Sequence, residues 1–369
     1  MARIDRLFLT LLEHDGSDLH LLEGQPPKLR EHGHIVPMEG EAPLTHDALE
    51  ALLAEICPPD RWESFLHLGD MDFAYALGDR ARFRANYFRH QFGYGAVFRV
   101  VPSKILSLED LAAPPILREI AAYRSGLVLV TGPTGSGKST TLAALLDHLN
   151  THEALKVLTL EEPVEFLHRS KRSLMIQREI GEDTETFASG LRAAIREDCD
   201  VILVGEMRDL ETISLALSAA ETGTLVYGTL HTNSAAKTVD RIVNVFPPDQ
   251  QGQILSMLST SLRAVVSQQL LRKADGSGRV AVHEVLVVNT AARAAIREGR
   301  IARLNQVIAS GKKQGMQSLD AALLAQVKAG VVAAEDAYLK ASDKKQFERM
   351  LAGREPYRSQ RFQRAELRR

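Results

Sequence analysis

Cysteine is nearly missing: only Cys57 and Cys199 occur in 369 residues. Two thiols cannot build a disulfide framework or a four-cysteine zinc motif, and such sparing use fits a reducing cytoplasm. Charge of one sign is not in excess either, since 45 Lys and Arg face 47 Asp and Glu for a formal net charge of −2. That total excludes a global attraction to nucleic acid or anionic membrane, so any such partner has to be met through a local patch. No apolar run approaches the length of a membrane span, no charged-then-apolar signal segment follows Met1, and no stretch repeats. The expectation is a soluble chain that can dock on a membrane complex without entering the bilayer.

What is present suffices for two domains, each with its own core, at an ordinary 45% hydrophobic and 25% charged content. The most informative stretch is Gly132-Pro133-Thr134-Gly135-Ser136-Gly137-Lys138-Ser139-Thr140, which follows the run Leu127-Val128-Leu129-Val130 and opens a helical run to Leu149. A strand that delivers a Gly-rich turn to a helix N-terminus aims several N–H groups and the positive end of the helix dipole at one small volume, which suits a polyphosphate. Lys138 then reaches the β and γ phosphates, and the Ser139 hydroxyl can hold Mg²⁺.

Before that loop, Ile4, Leu7, Phe8, Leu11 and Leu12 recur at helical spacing, and short strands and turns follow from Ser17 to Val36. Asp18 and His20 lie beside one of them, where lone polar residues close turns or meet solvent more often than they ligate a metal. Leu44 to Leu68 reads as two helices interrupted at Pro58-Pro59, and 72–77, 81–88 and 94–101 read as an antiparallel meander. In Arg82-Phe83-Arg84 the charges alternate with apolar bulk, so the two arginines share a face, with Arg99 on the next strand. Spacing alone favours a solvated sheet face over an arginine finger. Pro102 to Pro115 reads as a linker.

After the loop, the strand Lys156 to Leu160 ends in Glu161-Glu162-Pro163-Val164-Glu165, and the strand Val201 to Val204 ends in Gly205-Glu206. Carboxylates at strand ends beside a phosphate loop are where an open α/β sheet places its chemistry. Glycine at 205 stands where an Asp would hold Mg²⁺, so Glu206 either positions water itself or shares metal duty with Glu161 and Glu162. An acidic cap on the next helix is the alternative use of these residues. A fourth strand, 223–230, delivers His231-Thr232-Asn233, which suits hydrogen bonding to a γ-phosphate or an attacking water.

As a set and in this order, the loop, the acidic 160–166 segment, Val201 to Asp209 and Gly228-Thr229-Leu230-His231-Thr232-Asn233-Ser234-Ala235 resemble the Walker A, Asp box, atypical Walker B and His box of the secretion ATPase superfamily (GspE/PulE-like). The resemblance runs from about Ser17 to Lys345 and is nearest to PilT-type retraction ATPases of type IV pili. The short segment before Gly16-Ser17-Asp18-Leu19-His20-Leu21 favours that branch, as do Ala291 to Glu298, similar to the family's AIRNLIRE segment, and Gly315 to Asp320. Glu162 stands where the family's box usually has Asp, and Ala292, Ala294 and Ala295 replace bulkier or polar residues.

The resemblance implies an α/β fold: a RecA-like P-loop NTPase domain (116–290), a smaller N-terminal PAS-like α/β domain (1–101), the linker (102–115) and C-terminal helices (291–352). It implies ATP and Mg²⁺ at the loop residues, with Ser139, Glu161, Glu162 and Glu206 as metal-site candidates, directly or through water. Glu206, Glu162, Lys138 and His231 carry the chemistry, and Arg82, Arg84 and Arg99 now read as charge donors to the nucleotide. A homo-hexamer is implied, docked at the inner face of the cytoplasmic membrane against a pilus platform protein, alongside a paralogous pilus ATPase. No nucleic acid is expected. The implied function is pilus retraction; an assembly or type II secretion ATPase is the alternative, and a RecA-like nucleic-acid motor a remoter one.

The C-terminal third reads as helices at Ile254 to Leu271, Ile296 to Ser310, Leu319 to Ala329 and Ala333 to Met350, with a strand from Val280 to Val288. Residues 353–369 hold six arginines against two glutamates and read as a disordered, solvated tail.

Overall fold

Alternation and helical spacing divide the chain as the physics of burial requires, in a computed structural model that describes residues 2–31, 34–78, 80–101 and 104–351. The basic tail, the Pro102-Ser103 start of the linker and the turn residues His32, Gly33 and Asp79 lie outside the described residues. The chain forms two compact units. One runs up to Ile105 and takes in Glu162–Leu167; the other comprises Leu106–Glu161 and the chain from His168. No described helix is long and apolar enough to cross a membrane.

The first unit contains α1 (Asp5–Glu13), β1 (Asp18–Leu22), β2 (Lys28–Glu31), β3 (His34–Pro37), α2 (His46–Ile56), α3 (Pro59–Leu68), β4 (Asp70–Leu77), β5 (Ala81–His90) and β6 (Gly93–Val101). Its six strands pair antiparallel in the order β3-β2-β1-β6-β5-β4. In one row across the sheet, Leu29, Leu19, Phe98, Ala85 and Phe73 stand opposite one another and bury against α1, α2 and α3. Each such large apolar side chain contributes about 1.5–3 kcal/mol when removed from water. One residue along, the row turns over: Arg30, Asp18, Arg99 and Arg84 stand opposite one another on the other face, because side chains alternate with a period of two.

The second unit contains α4 (Ile116–Ala121), β7 (Gly126–Thr131), α5 (Lys138–His152), β8 (Lys156–Glu161), β9 (Leu174–Glu179), α6 (Phe187–Ala194), β10 (Val201–Val204), α7 (Leu210–Glu221), β11 (Leu225–Leu230), α8 (Ala235–Val243), α9 (Pro248–Ser261), β12 (Leu262–Arg272), β13 (Arg279–Val287), α10 (Thr290–Arg297), α11 (Leu304–Ser310), α12 (Leu319–Lys328), α13 (Ala334–Lys340) and α14 (Lys345–Leu351). Seven strands follow the order β13-β12-β7-β11-β10-β8-β9, parallel throughout except for the antiparallel β12–β13 pair. Helices cover both faces, so β7 and β11 are buried along their whole length and read as unbroken apolar runs. Leu108, within the stretch read as a linker, is buried in this unit's core.

Three helical expectations need correction. The run Ile254 to Leu271 is not one helix: α9 stops at Ser261 and Leu262–Arg272 is a strand between β7 and β13. Leu262, Ala264, Val265 and Val266 are fully buried from both faces, and such a run carries no period that separates strand from helix. The run Ile296 to Ser310 is broken after α10, where Gly299 turns at φ +67°, and the run Ala333 to Met350 is two helices interrupted between Lys340 and Lys345.

Candidate functional site

The phosphate loop spans the end of β7 and the start of α5. Gly132, Gly135 and Gly137 adopt φ of +150°, +75° and +86°. At Gly132 a Cβ would lie 2.3 Å from the Gln268 carbonyl oxygen, and at Gly137 it would lie 2.9 Å from the Gln268 amide nitrogen. Lys138 folds back over the loop, its Nζ donating to the carbonyls of Gly132 at 2.9 Å and Pro133 at 3.3 Å. Pro133, Thr134 and Gly135 are exposed at the tip, Ser136 is buried beneath it, Ser139 is exposed on the first turn of α5, and Thr140 is half-buried.

Sheet order brings the other candidates of this unit to the same edge. β7, β11, β10 and β8 are parallel neighbours, so the loop after Thr131, His231 after Leu230, Glu206 after Val204 and Glu161 at the end of β8 all leave at carboxyl ends. Glu206 Oε1 lies 3.0 Å from His231 Nε2, and its Oε2 accepts from Arg208 Nη2 at 2.7 Å. Burial pushes the Glu206 carboxyl up, but the hydrogen bonds from Arg208 and His231 outweigh it and hold the group below the usual range. These residues line a cleft of about 470 Å³ together with Met207, Leu230, Thr232 and Arg241. Glu161 Oε1 accepts from Thr159 Oγ1 at 2.7 Å and Gln177 Nε2 at 3.1 Å, which fixes its rotamer.

The helix cap and the site carboxylate are different residues. Asp209 caps α7, accepting from the Thr212 N–H at 2.8 Å, and this leaves Glu206 to the cleft. Glycine at 205 also has a steric reason: a Cβ there would lie 2.9 Å from the Leu160 carbonyl oxygen and 3.3 Å from the Glu161 Cα on the neighbouring strand. Backbone cannot give way cheaply at that distance, so no aspartate fits this place in the strand as it stands.

A buried set of hydroxyls joins the loop's strand to the His231 segment. Thr131 Oγ1 and Ser267 Oγ are 2.7 Å apart, Thr238 Oγ1 on α8 donates to Thr131 Oγ1 at 3.4 Å, and Thr232 Oγ1 lies 2.6 Å from Thr238 Oγ1. Thr131, Ser267, Thr238 and Gln268 were not legible as site residues. They carry no motif, and two of them sit on the strand that reads as a helix.

Glu162 belongs to the other compact unit, as do Arg82, Arg84 and Arg99. There Arg84 and Arg99 are cross-strand neighbours, and Arg82, two residues from Arg84, shares their face. Arg99 Nε donates to Asp18 Oδ1 at 2.8 Å, and Arg84 Nε lies 3.6 Å from Asp72. Asp18 is only 3% exposed; burial raises its carboxyl, yet the bonds from Ser17 and Arg99 bring it below its ordinary value.

A nucleoside triphosphate fits the loop on two grounds: three glycines at positive φ, which let the backbone curl around an anion, and Lys138, whose Nζ lies at the loop's carbonyls within reach of it. Mg²⁺ takes oxygen ligands and keeps several waters and phosphate oxygens, so the hydroxyl of Ser139 and the carboxylates of Glu161 and Glu206 are a chemically suitable set beside it.

The sequence profile of type II/IV secretion system proteins matches residues 70–339. The chain is 48% identical to the type IV pilus retraction ATPase PilT of Pseudomonas aeruginosa over 92% of its own length and 98% of that protein. It is 54% identical to a twitching motility protein of Neisseria gonorrhoeae, over 74% of its length and 73% of that protein. The crystal structure of the pilus retraction motor PilT with bound ADP superposes with a TM-score of 0.87 at 40% identity, covering 95% of this chain and 100% of the other.

Proposed function

Because the chain belongs to the type II/IV secretion system protein family, in its PilT-type branch, we infer that it is a motor ATPase that couples ATP hydrolysis to type IV pilus retraction. The observation that carries this reading is the pairing of Glu206 with His231 at 3.0 Å on the strand ends next to a complete phosphate loop. A loop alone argues only for phosphate binding; a carboxylate held ionised at the same edge of the sheet, one strand beyond β11, argues for hydrolysis.

The proposed roles follow from chemistry. The backbone N–H groups from Gly132 to Thr140 and the N-terminus of α5 hold the phosphates, and Lys138 exchanges its loop carbonyls for the β and γ oxygens. Glu206, kept ionised by Arg208 and His231, accepts a hydrogen bond from the attacking water and orients it. His231 shares that carboxylate and senses whether a γ-phosphate is present, because its hydrogen-bond partners change when the anion leaves. Mg²⁺, when bound, would withdraw charge from the phosphate oxygens; Ser139, Glu161 and Glu206 are the residues of this unit that would hold it, directly or through water. Arg82, Arg84 and Arg99 supply guanidinium charge to the γ-phosphate, and hydrolysis removes the anion that attracts them.

Around a hexameric ring, such local changes become directed displacement of an axial partner. The partner proposed is the inner-membrane pilus platform protein, which places the ring in the cytoplasm against the membrane, alongside a paralogous pilus ATPase. The test is a deletion strain complemented with the wild-type gene or with Lys138→Ala. Retraction predicts excess surface pili in the deletion, cured by wild type and not by the variant. A bald deletion strain would assign the chain to pilus assembly instead.

A further inference from the structure

Gln268 sits on β12 with both ends of its amide engaged and only 2% of its surface exposed. Its Oε1 accepts from Thr141 Oγ1 of α5 at 2.8 Å, and its Nε2 donates to the backbone carbonyl of Ser136 at 2.6 Å. Two of the three loop glycines pack against this one residue: a Cβ at Gly132 would meet its backbone carbonyl oxygen, and one at Gly137 its side-chain amide nitrogen. The neighbouring Ser267 bonds to Thr131 on the opposite face of the sheet, as strand alternation requires. Two consecutive residues of β12 therefore grip the base of the loop from its two sides.

We propose that Gln268 is a positioning residue for the phosphate loop, holding the Ser136 carbonyl turned away so that the loop's N–H groups converge on the phosphates. The geometry makes the donor half of the amide the functional half. A peptide unit carries its N–H and C=O on opposite edges, so a donor that pins the carbonyl inward at Ser136 points the following N–H outward. The Ser136 carbonyl can only accept, so it fixes which end of the amide faces the loop, and the Thr141 hydroxyl satisfies the acceptor half that remains. This rests on the reading that the loop binds a nucleotide.

The experiment compares full-length wild type with Gln268→Glu, Gln268→Met, Thr141→Val and Lys138→Ala, measuring affinity for MgADP by calorimetry and the melting temperature of the nucleotide-free protein. Gln268→Glu keeps an acceptor toward Thr141 but turns a carboxylate oxygen on the Ser136 carbonyl; Gln268→Met removes both bonds at similar volume. Each is expected to weaken ADP binding tenfold or more, whereas Thr141→Val lowers the melting temperature and weakens binding less than threefold. A glutamine of purely structural use would lower the melting temperature in all three and leave affinity alone. Binding of ADP by Gln268→Glu, or by Gln268→Met should the first fail to fold, within threefold of wild type overturns the proposal. If Lys138→Ala also binds like wild type, the nucleotide reading of the loop falls with it; if only Lys138→Ala loses binding, the failure belongs to Gln268 alone.

Discussion

His231 Nε2 and Glu206 Oε1 stand 3.0 Å apart, although 25 positions separate them in the chain, because β10 and β11 are parallel neighbours that release both residues at the same edge. Arg208 completes the arrangement from two residues further along, with its Nε 2.6 Å from the same carboxylate oxygen. The carboxylate is therefore held between a histidine and a guanidinium.

Turnover that needs ionised Glu206 should carry the mark of this pairing. Burial alone would raise the carboxyl, and the two partners outweigh burial, so ionisation persists below the ordinary value of about 4.3. The pH profile of kcat in wild type is expected to show no acid limb from this group above that value. With Arg208→Met and His231→Ala combined, burial is left unopposed and an acid limb moves to higher pH. Glu206→Gln is expected to lower turnover by about 10²-fold or more while the fold persists. Wild-type turnover in Glu206→Gln would remove Glu206 from the chemistry.

Restoring an aspartate at position 205 should harm the protein rather than improve its metal site. A Cβ there meets the Leu160 carbonyl oxygen at 2.9 Å. Gly205→Ala and Gly205→Asp are both expected to cost about 1–3 kcal/mol of stability from overpacking. Denaturant titration checks this, and an unchanged midpoint for Gly205→Ala would show that β8 and β10 yield at this point.

Asp18 and Arg99 should be linked in acid unfolding. The Asp18 carboxyl is depressed in the folded chain, so its contribution is present above the unfolded value of about 3.9 and is lost as pH falls through the lower folded value. Arg99→Ala removes one cause of the depression, so the folded value moves toward the unfolded one and less stability is lost on acidification, while the onset stays near the unfolded value. Thermal melts from pH 2 to 6 read the smaller acid-induced drop relative to wild type. A loss of ATP turnover in Arg99→Ala at neutral pH, measured at a temperature well below the variant's own lowered melting temperature, is the outcome that the charge-donor role requires.

Local patterns carried much of what can be read along the chain. The helix that opens at Lys138 and the antiparallel run from Asp70 to Val101 follow from spacing and turn residues that act within a few positions. The face shared by Arg82, Arg84 and Arg99 follows from strand alternation. β12 was not legible, since a strand packed between β7 and β13 and covered by helices is buried at successive positions and shows no period of two. With the strand misread, neither Ser267 nor Gln268 could be placed under the loop.

The amino-acid sequence by itself determined the phosphate loop, because a glycine-rich turn between a strand and a helix creates its cradle of N–H groups from consecutive residues. It determined likewise which strand ends carry Glu161, Glu206 and His231. Only the tertiary structure decided what those residues meet: the order β7-β11-β10-β8 sets His231 against Glu206, the closeness of β8 and β10 requires glycine at 205, and β12 brings Gln268 beneath Ser136. The reason is physical. Hydrogen bonds and steric limits act over about 3 Å, and partners so close in space and so distant along the chain become neighbours only once the sheet has formed.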